Sequence, residues 1–252
     1  MNDTNPAHID YYSVVPLFLE MFINGGEKPI AIGTGFPVKE DDGSYIITNW
    51  HNVTGRNPEN NEPLDKINGL CDPDYLKAWF PLKYEMGIMW GAEKILLRDL
   101  DGKQKWIEHH KGRKIDVVAV PFLPDKPIFY LDLHKDYKLK IYPSKAVSII
   151  GYPKGVTSGG KFPIWKKGHI ASEFKLDYEG KPVFLIDATT RSGMSGSPVI
   201  LKESGSCEFE NGAIAQGTFE RFLGIYSGRI DNTIEIGMVW KPHLIREIIA
   251  LY

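Results

Sequence analysis

An all-β body finished by one C-terminal helix is the fold this sequence predicts. Three observations carry it. Many short runs of β-branched and aromatic residues are punctuated by Gly, Pro, Asn and Asp, the pattern of an all-β sandwich or barrel. Several of these runs hold internal glycines, as the bends of small closed barrels require. The last turns of the chain carry an apolar stripe at helical spacing. With 252 residues, 42% hydrophobic and 25% charged, the chain buries a sizeable core as one large domain or two small ones.

In order, residues 14–22 form the first strand and end at Asn24-Gly25-Gly26. Residues 30–38 form the next, with Gly33 and Gly35 inside it. Asp41-Asp42-Gly43 is a hairpin signal leading into residues 44–48, which deliver Trp50-His51. Residues 56–65 and 103–114 are polar and read as long surface connections, and 73–83 leaves room for a short helix. Further strands are expected at 115–122, 146–151, 168–176, 182–187, 197–201, 222–227 and 233–239. Residues 121–136, rich in proline and charge, read as the link between two halves, 1–125 and 126–252. At the tail Pro242 suits a first helical position, and Leu244, Ile245, Ile248, Ile249 and Tyr252 form the stripe that docks this helix on the body.

A formal net charge of −2 gives no reason to expect nucleic acid or an anionic membrane as partner. The basic clusters at 103–105, 111–114 and 166–167 read as solvated loops. The start, Met1-Asn2-Asp3-Thr4-Asn5-Pro6-Ala7, lacks the basic and apolar regions of a secretory signal. No apolar run approaches the roughly 20 residues that span a bilayer. Two cysteines far apart in sequence, Cys71 and Cys207, suit a reducing compartment, and a cytoplasmic protein is expected.

Chemistry concentrates in Thr190-Arg191-Ser192-Gly193-Met194-Ser195-Gly196-Ser197-Pro198-Val199. A serine between glycines can sit on a tight turn that exposes its hydroxyl, and backbone N–H groups of Gly193 and Ser195 would stabilise the oxyanion of a tetrahedral intermediate. Such a serine needs a base. His51 lies just past an apolar strand and Asp116 at the head of another, Lys114-Ile115-Asp116-Val117-Val118-Ala119-Val120. A charge buried there is costly unless paired, and an Asp–imidazole hydrogen bond supplies the pairing.

Together these segments resemble the trypsin/chymotrypsin-like serine peptidases, over most of the chain. The chain order His, Asp, Ser matches that family. Its histidine motif appears as Thr48-Asn49-Trp50-His51, its aspartate motif as Asp116-Val117-Val118-Ala119, its serine motif as Gly193-Met194-Ser195-Gly196-Ser197-Pro198. Gly33-Thr34-Gly35-Phe36, Val147-Ser148-Ile149-Ile150-Gly151-Tyr152-Pro153 and Leu223-Gly224-Ile225-Tyr226-Ser227-Gly228 resemble supporting strands, the last lining the specificity pocket. The resemblance implies two six-stranded antiparallel barrels with the active site between them, His51 and Asp116 from the first and Ser195 from the second. It implies a serine endopeptidase acting on proteins or peptides, with Ser227 supporting the buried aspartate and no metal or cofactor. His109-His110 read as surface residues rather than metal ligands. A protease-like binding module and an esterase with the same triad are the alternatives, and a regulatory protein partner is conceivable for a cytoplasmic protease.

Met194 departs from the pattern: it stands where zymogen-activated members have an aspartate that pairs with a new N-terminus. Thr189, at the position of the pocket base, is uncharged, so cleavage after Lys or Arg is not expected. Thr190 resembles a residue of bacterial glutamyl endopeptidases, but Tyr226 replaces their histidine. Either Tyr226 fills the pocket and leaves room for a small or uncharged side chain, the favoured expectation, or its hydroxyl and Arg229 receive an acidic one.

Overall fold

A computed structural model describes residues 9–40, 43–84, 87–231 and 233–251; the expectations for Met1 to Ala7, for Asp41-Asp42 and for Tyr252 lie outside these. Thirteen strands are described: β1 (Leu17–Phe22), β2 (Ala31–Glu40), β3 (Gly43–Thr48), β4 (Tyr75–Tyr84), β5 (Gly87–Leu96), β6 (Ile107–Glu108), β7 (Val118–Phe122), β8 (Ala146–Gly151), β9 (Ile164–Ile170), β10 (Val183–Asp187), β11 (Pro198–Glu208), β12 (Ile214–Arg229) and β13 (Ile236–Trp240). Two short helices join them, α1 (Trp50–Thr54) and α2 (His243–Ile249). The last six strands close into a barrel in the order β10-β13-β12-β11-β8-β9. The first seven form one antiparallel sheet ordered β5-β4-β1-β2-β3-β7-β6. This corrects the expectation of two six-stranded barrels. The first sheet stays open because β6 is only two residues long and the turn after β5 closes on itself through the single bridge Arg98↔Gln104.

Further segments differ from expectation. Residues 73–83 hold strand β4, not a helix. Leu76, Ala78, Phe80 and Leu82 alternate into the core, a period of two that only a strand presents on one face. Its partner β5 went unseen because Gly87, Gly91, Glu93 and Lys94 break the apolar pattern, as suits a half-exposed edge. Strand β9 begins at Ile164, before the expected 168, and carries Lys167 exposed on the barrel wall. The expected tail helix is present, with Pro242 as its N-cap rather than its first residue, and Leu244, Ile245, Ile248 and Ile249 are buried, contributing on the order of 1.5–3 kcal/mol each.

Two apolar clusters fill the separate interiors. One holds Leu17, Leu19, Met21, Ile46 and Phe80 inside the first sheet; the other holds Ile149, Phe184, Leu201 and Leu223 inside the barrel. A third lies between the two bodies and contains Phe36, Val38, Ile47 and Val117 from the first with Ile150, Ile200, Ile225 and the α2 residues from the second. This shared burial joins the two bodies.

Candidate active site

His51 and Asp116 are brought together by sheet register. Strands β3 and β7 pair with Thr48 opposite Val118, so the residues just after β3 and just before β7 leave the sheet side by side. Past Thr48 the chain turns into α1, with Asn49 extended before it and Gly55 in the left-handed conformation closing it. His51 Nδ1 then lies 2.8 Å from Asp116 Oδ2, and the His51 backbone N–H donates to Asp116 Oδ1 at 3.0 Å. Ser227 Oγ donates to Asp116 Oδ2 at 2.7 Å. Asp116 is 3% exposed, and these three bonds compensate a charge that burial alone would make untenable. Asn49 Nδ2 fastens the Asp116 carbonyl at 2.6 Å.

Ser195 arrives from the other body, on the loop between β10 and β11. Gly193 and Gly196 have φ of +90° and +87°. A Cβ at Gly193 would meet the Tyr152 carbonyl at 2.3 Å, and one at Gly196 the Thr34 carbonyl at 1.9 Å. Only glycine fits either position. The loop is stitched to β2 and α1: Thr34 N–H donates to the Ser195 carbonyl at 2.8 Å, Thr34 Oγ1 to the Gly193 carbonyl at 2.8 Å, and Asn52 Nδ2 to the Ser195 carbonyl at 3.0 Å. Lys154 N–H holds the Ser192 carbonyl at 2.6 Å. Met194, fully buried in the barrel core, anchors the loop by packing where an ion pair was not available. Among the described residues no hydrogen bond engages the N–H of Gly193 or of Ser195. The Ser195 hydroxyl itself donates to the Ser227 carbonyl at 2.7 Å.

His51, Ser195 and Gly193 line one cavity of about 560 Å³ together with Thr190, Arg191, Ser192, Tyr226, Gly228 and Arg229. Its lining also includes the apolar side chains of Ile30, Ile32, Leu64 and Leu70. A second cavity of about 820 Å³ lies beyond Asp116 and Ser227 and touches neither His51 nor Ser195. Of the residues expected in the substrate pocket, Thr190, Tyr226, Gly228 and Arg229 line the Ser195 cavity. Thr189 does not. It is exposed, because alternation along the extended chain turns Thr190 inward and its neighbour out. Ser227 lines the second cavity instead, its hydroxyl committed to Asp116. His109 is a further correction: it is 4% exposed, bonded to Glu247 Oε2 at 3.1 Å under α2; His110 beside it is exposed.

Sequence reading missed Thr34, Asn52 and Asn49 as supports, and Arg191 as a wall. Thr34 stood inside the noted Gly-Thr-Gly segment and Asn52 beside His51, but nothing in one sequence says which polar neighbour crosses the cleft.

The sequence matches the trypsin-like peptidase domain over residues 33–207, well over half the chain. The chain belongs to the trypsin-like peptidase family. This makes the peptidase a hydrolase of the serine endopeptidase class. Among solved structures, the Rv3671c protease from M. tuberculosis in its active form is similar with a TM-score of 0.51 and 18% identity, covering 95% of this chain and 81% of that one. The serine endoprotease from Yersinia pestis is similar with a TM-score of 0.53 and 14% identity, covering 96% of this chain and 66% of that one. At such identities the likeness is one of fold. No curated protein matches the peptidase in sequence. No helix among the described residues is long and apolar enough to cross a membrane.

Proposed function

We propose that the peptidase cleaves peptide bonds through an acyl-enzyme, with Ser195 as nucleophile, His51 as general base and then acid, and Asp116 holding the imidazole. The observation that carries this reading is the 2.8 Å contact between His51 Nδ1 and Oδ2 of buried Asp116, beside a cavity that His51 shares with Ser195. A proton held on Nδ1 by Asp116 leaves Nε2 as the base. The Ser195 hydroxyl first rotates from the Ser227 carbonyl to His51 Nε2. Its oxygen then bonds the substrate carbonyl carbon as its proton passes to Nε2. The N–H groups of Gly193 and Ser195 receive the oxyanion. Collapse breaks the C–N bond, and the departing amine takes the proton from His51. Water then repeats the sequence on the ester, and the acid product leaves.

A fluorophosphonate probe tests the assignment. Wild-type protein is expected to be labelled at Ser195 and Ser195→Ala not at all. Full peptidase activity in Ser195→Ala would overturn it, and a folded wild type that neither reacts nor cleaves would favour the binding-module alternative. Buried Met194 supports a nucleophile loop ordered without a new N-terminus, so competence without N-terminal trimming is expected. The free thiols of Cys71 and Cys207 support a cytoplasmic setting.

A further inference from the structure

We infer that Leu64 and Leu70, with Ile30 and Ile32, form the subsite for the residue that follows the scissile bond, and that this subsite selects a bulky aliphatic side chain and rejects an acidic one. The inference rests on the proposed roles of Ser195 and His51 and names the substrate class of that site.

The lining of the Ser195 cavity divides by origin. Thr190, Tyr226 and Gly228 come from the barrel, with Arg191 and Arg229, which face Glu235 at 3.2 and 3.5 Å. The four aliphatic residues come from the body that carries His51. Leu64 and Leu70 are held at the end of α1. Gly55 N–H donates to the His51 carbonyl at 2.8 Å, and Leu64 N–H to the Gly55 carbonyl at 2.8 Å. Asp72 N–H donates to the Thr54 carbonyl at 2.6 Å. A Cβ at Gly55 would lie 2.9 Å from Cys71 Cα, which brings Leu70 to the same place. Arg56 Nε donates to Asp72 Oδ1 at 3.1 Å and closes the neck of the loop between them. Ile30 and Ile32 stand at the start of β2, where a Cβ at Gly33 would meet Asn52 Nδ2 of α1 at 2.8 Å.

The proposed chemistry gives this side to the leaving group. The acyl group stays on Ser195 while the departing nitrogen takes its proton from His51, so that nitrogen comes within about 3 Å of the imidazole. Its side chain then lies among the residues packed around α1. Those residues offer little to a polar group. Asn52 Nδ2 is committed to the Ser195 carbonyl and to Thr48 Oγ1. Apart from His51, the titratable side chain that this body adds to the described lining is Asp65. Bonds from Asn68 hold its carboxyl below the usual carboxylate range, so it is an anion at neutral pH. An acidic side chain meets that charge. A lysine finds a carboxylate already bonded within its own turn, by Ile67 N–H, Asn68 N–H and Asn68 Nδ2. An aliphatic side chain covers apolar surface that the free protein leaves open, since Leu64 and Leu70 are 47% and 40% exposed, and removing that surface from water favours binding.

The experiment takes a peptide that the wild type cleaves in a library and varies only the residue after the cleaved bond: Leu, isosteric Asn, Asp or Lys. The expected Leu:Asn ratio of kcat/KM is at least about tenfold, with Asp the poorest of the four. Leu64→Ser and Leu70→Ser are expected to bring the ratio toward one, and a ratio taken within each variant cancels any general loss of activity. NMR titration of Ser195→Ala with the tripeptide amides Leu-Ala-Ala and Asn-Ala-Ala, products on the leaving side, reads the same preference without catalysis. A Leu:Asn ratio of one or less, a preference for Lys over Leu, or a ratio that both substitutions leave unmoved overturns the inference. If the wild type neither cleaves nor takes a phosphonate label, the catalytic reading falls by itself. Tighter binding of the Leu tripeptide, weakened by Leu64→Ser, then still supports the subsite, and equal binding overturns it too.

Discussion

The two halves of the candidate site are built differently. His51 and Asp116 flank two strands that are neighbours in one sheet, and their contact follows from register. Ser195 sits on an irregular loop of the barrel and is placed by hydrogen bonds to Thr34 and Asn52 of the other body. One half is a consequence of regular secondary structure; the other depends on the closure of an interface. The proposed acid–base pair is therefore the sturdier element, and the loop of the proposed nucleophile the one that distant changes can disturb.

The largest expected effect comes from the sturdy half. His51→Ala removes the proposed base, and kcat for peptide hydrolysis should fall by roughly 10³–10⁶; losing one of the three bonds to buried Asp116 should also lower the melting temperature. Asp116→Asn should cost about 10⁴ in rate. A fall below tenfold in either would show that the register-built pair is not the acid–base machinery.

The stitched half is broken by geometry. At Gly196 a Cβ would lie 1.9 Å from the Thr34 carbonyl at a φ of +87°. Gly196→Ala should destabilise the fold by about 2–4 kcal/mol and reduce phosphonate labelling, both read on one preparation. Thr34→Val is milder. It deletes the bond to the Gly193 carbonyl and the acceptor for Tyr152 N–H at 3.2 Å, costing about 1–3 kcal/mol. If the loop depends on this stitch, kcat falls about tenfold or more while binding of product peptides to the Ser195→Ala background changes less. Equal losses in both would mean that Thr34 supports the fold and not the loop.

The smallest effect sharpens the first half from outside. Asp72 accepts from Arg56 across the loop that leaves α1, and this pairing holds its carboxyl below the usual range. A depressed folded pKa stabilises above the unfolded value, near 4, and the gain is lost as pH falls through the folded one. The pair is solvent-screened, so Asp72→Asn should cost at most about 1 kcal/mol at pH 7 and progressively less as the pH falls below about 4, read by denaturant titration.

Much of this was legible in the residues. The apolar alternation of 44–48 and 115–122, the glycines around Ser195, the order of His51, Asp116 and Ser195, and the stripe of α2 are local or ordinal patterns, and each survives without coordinates. They determined an all-β chain, its family and its candidate triad. The tertiary structure decided what depends on pairs distant in sequence. The first sheet stays open because a two-residue β6 cannot complete a ladder. Strand β5 exists because β4 supplies partners that its own diluted pattern does not advertise. Thr189 turns outward and Thr190 inward through the phase of an extended loop. Arg191 meets Arg229 at Glu235 only because the start of β13 lies against the loop after β10. A sequence records which side chains are available; which of them share a wall is set by register and closure, which long-range contacts alone determine.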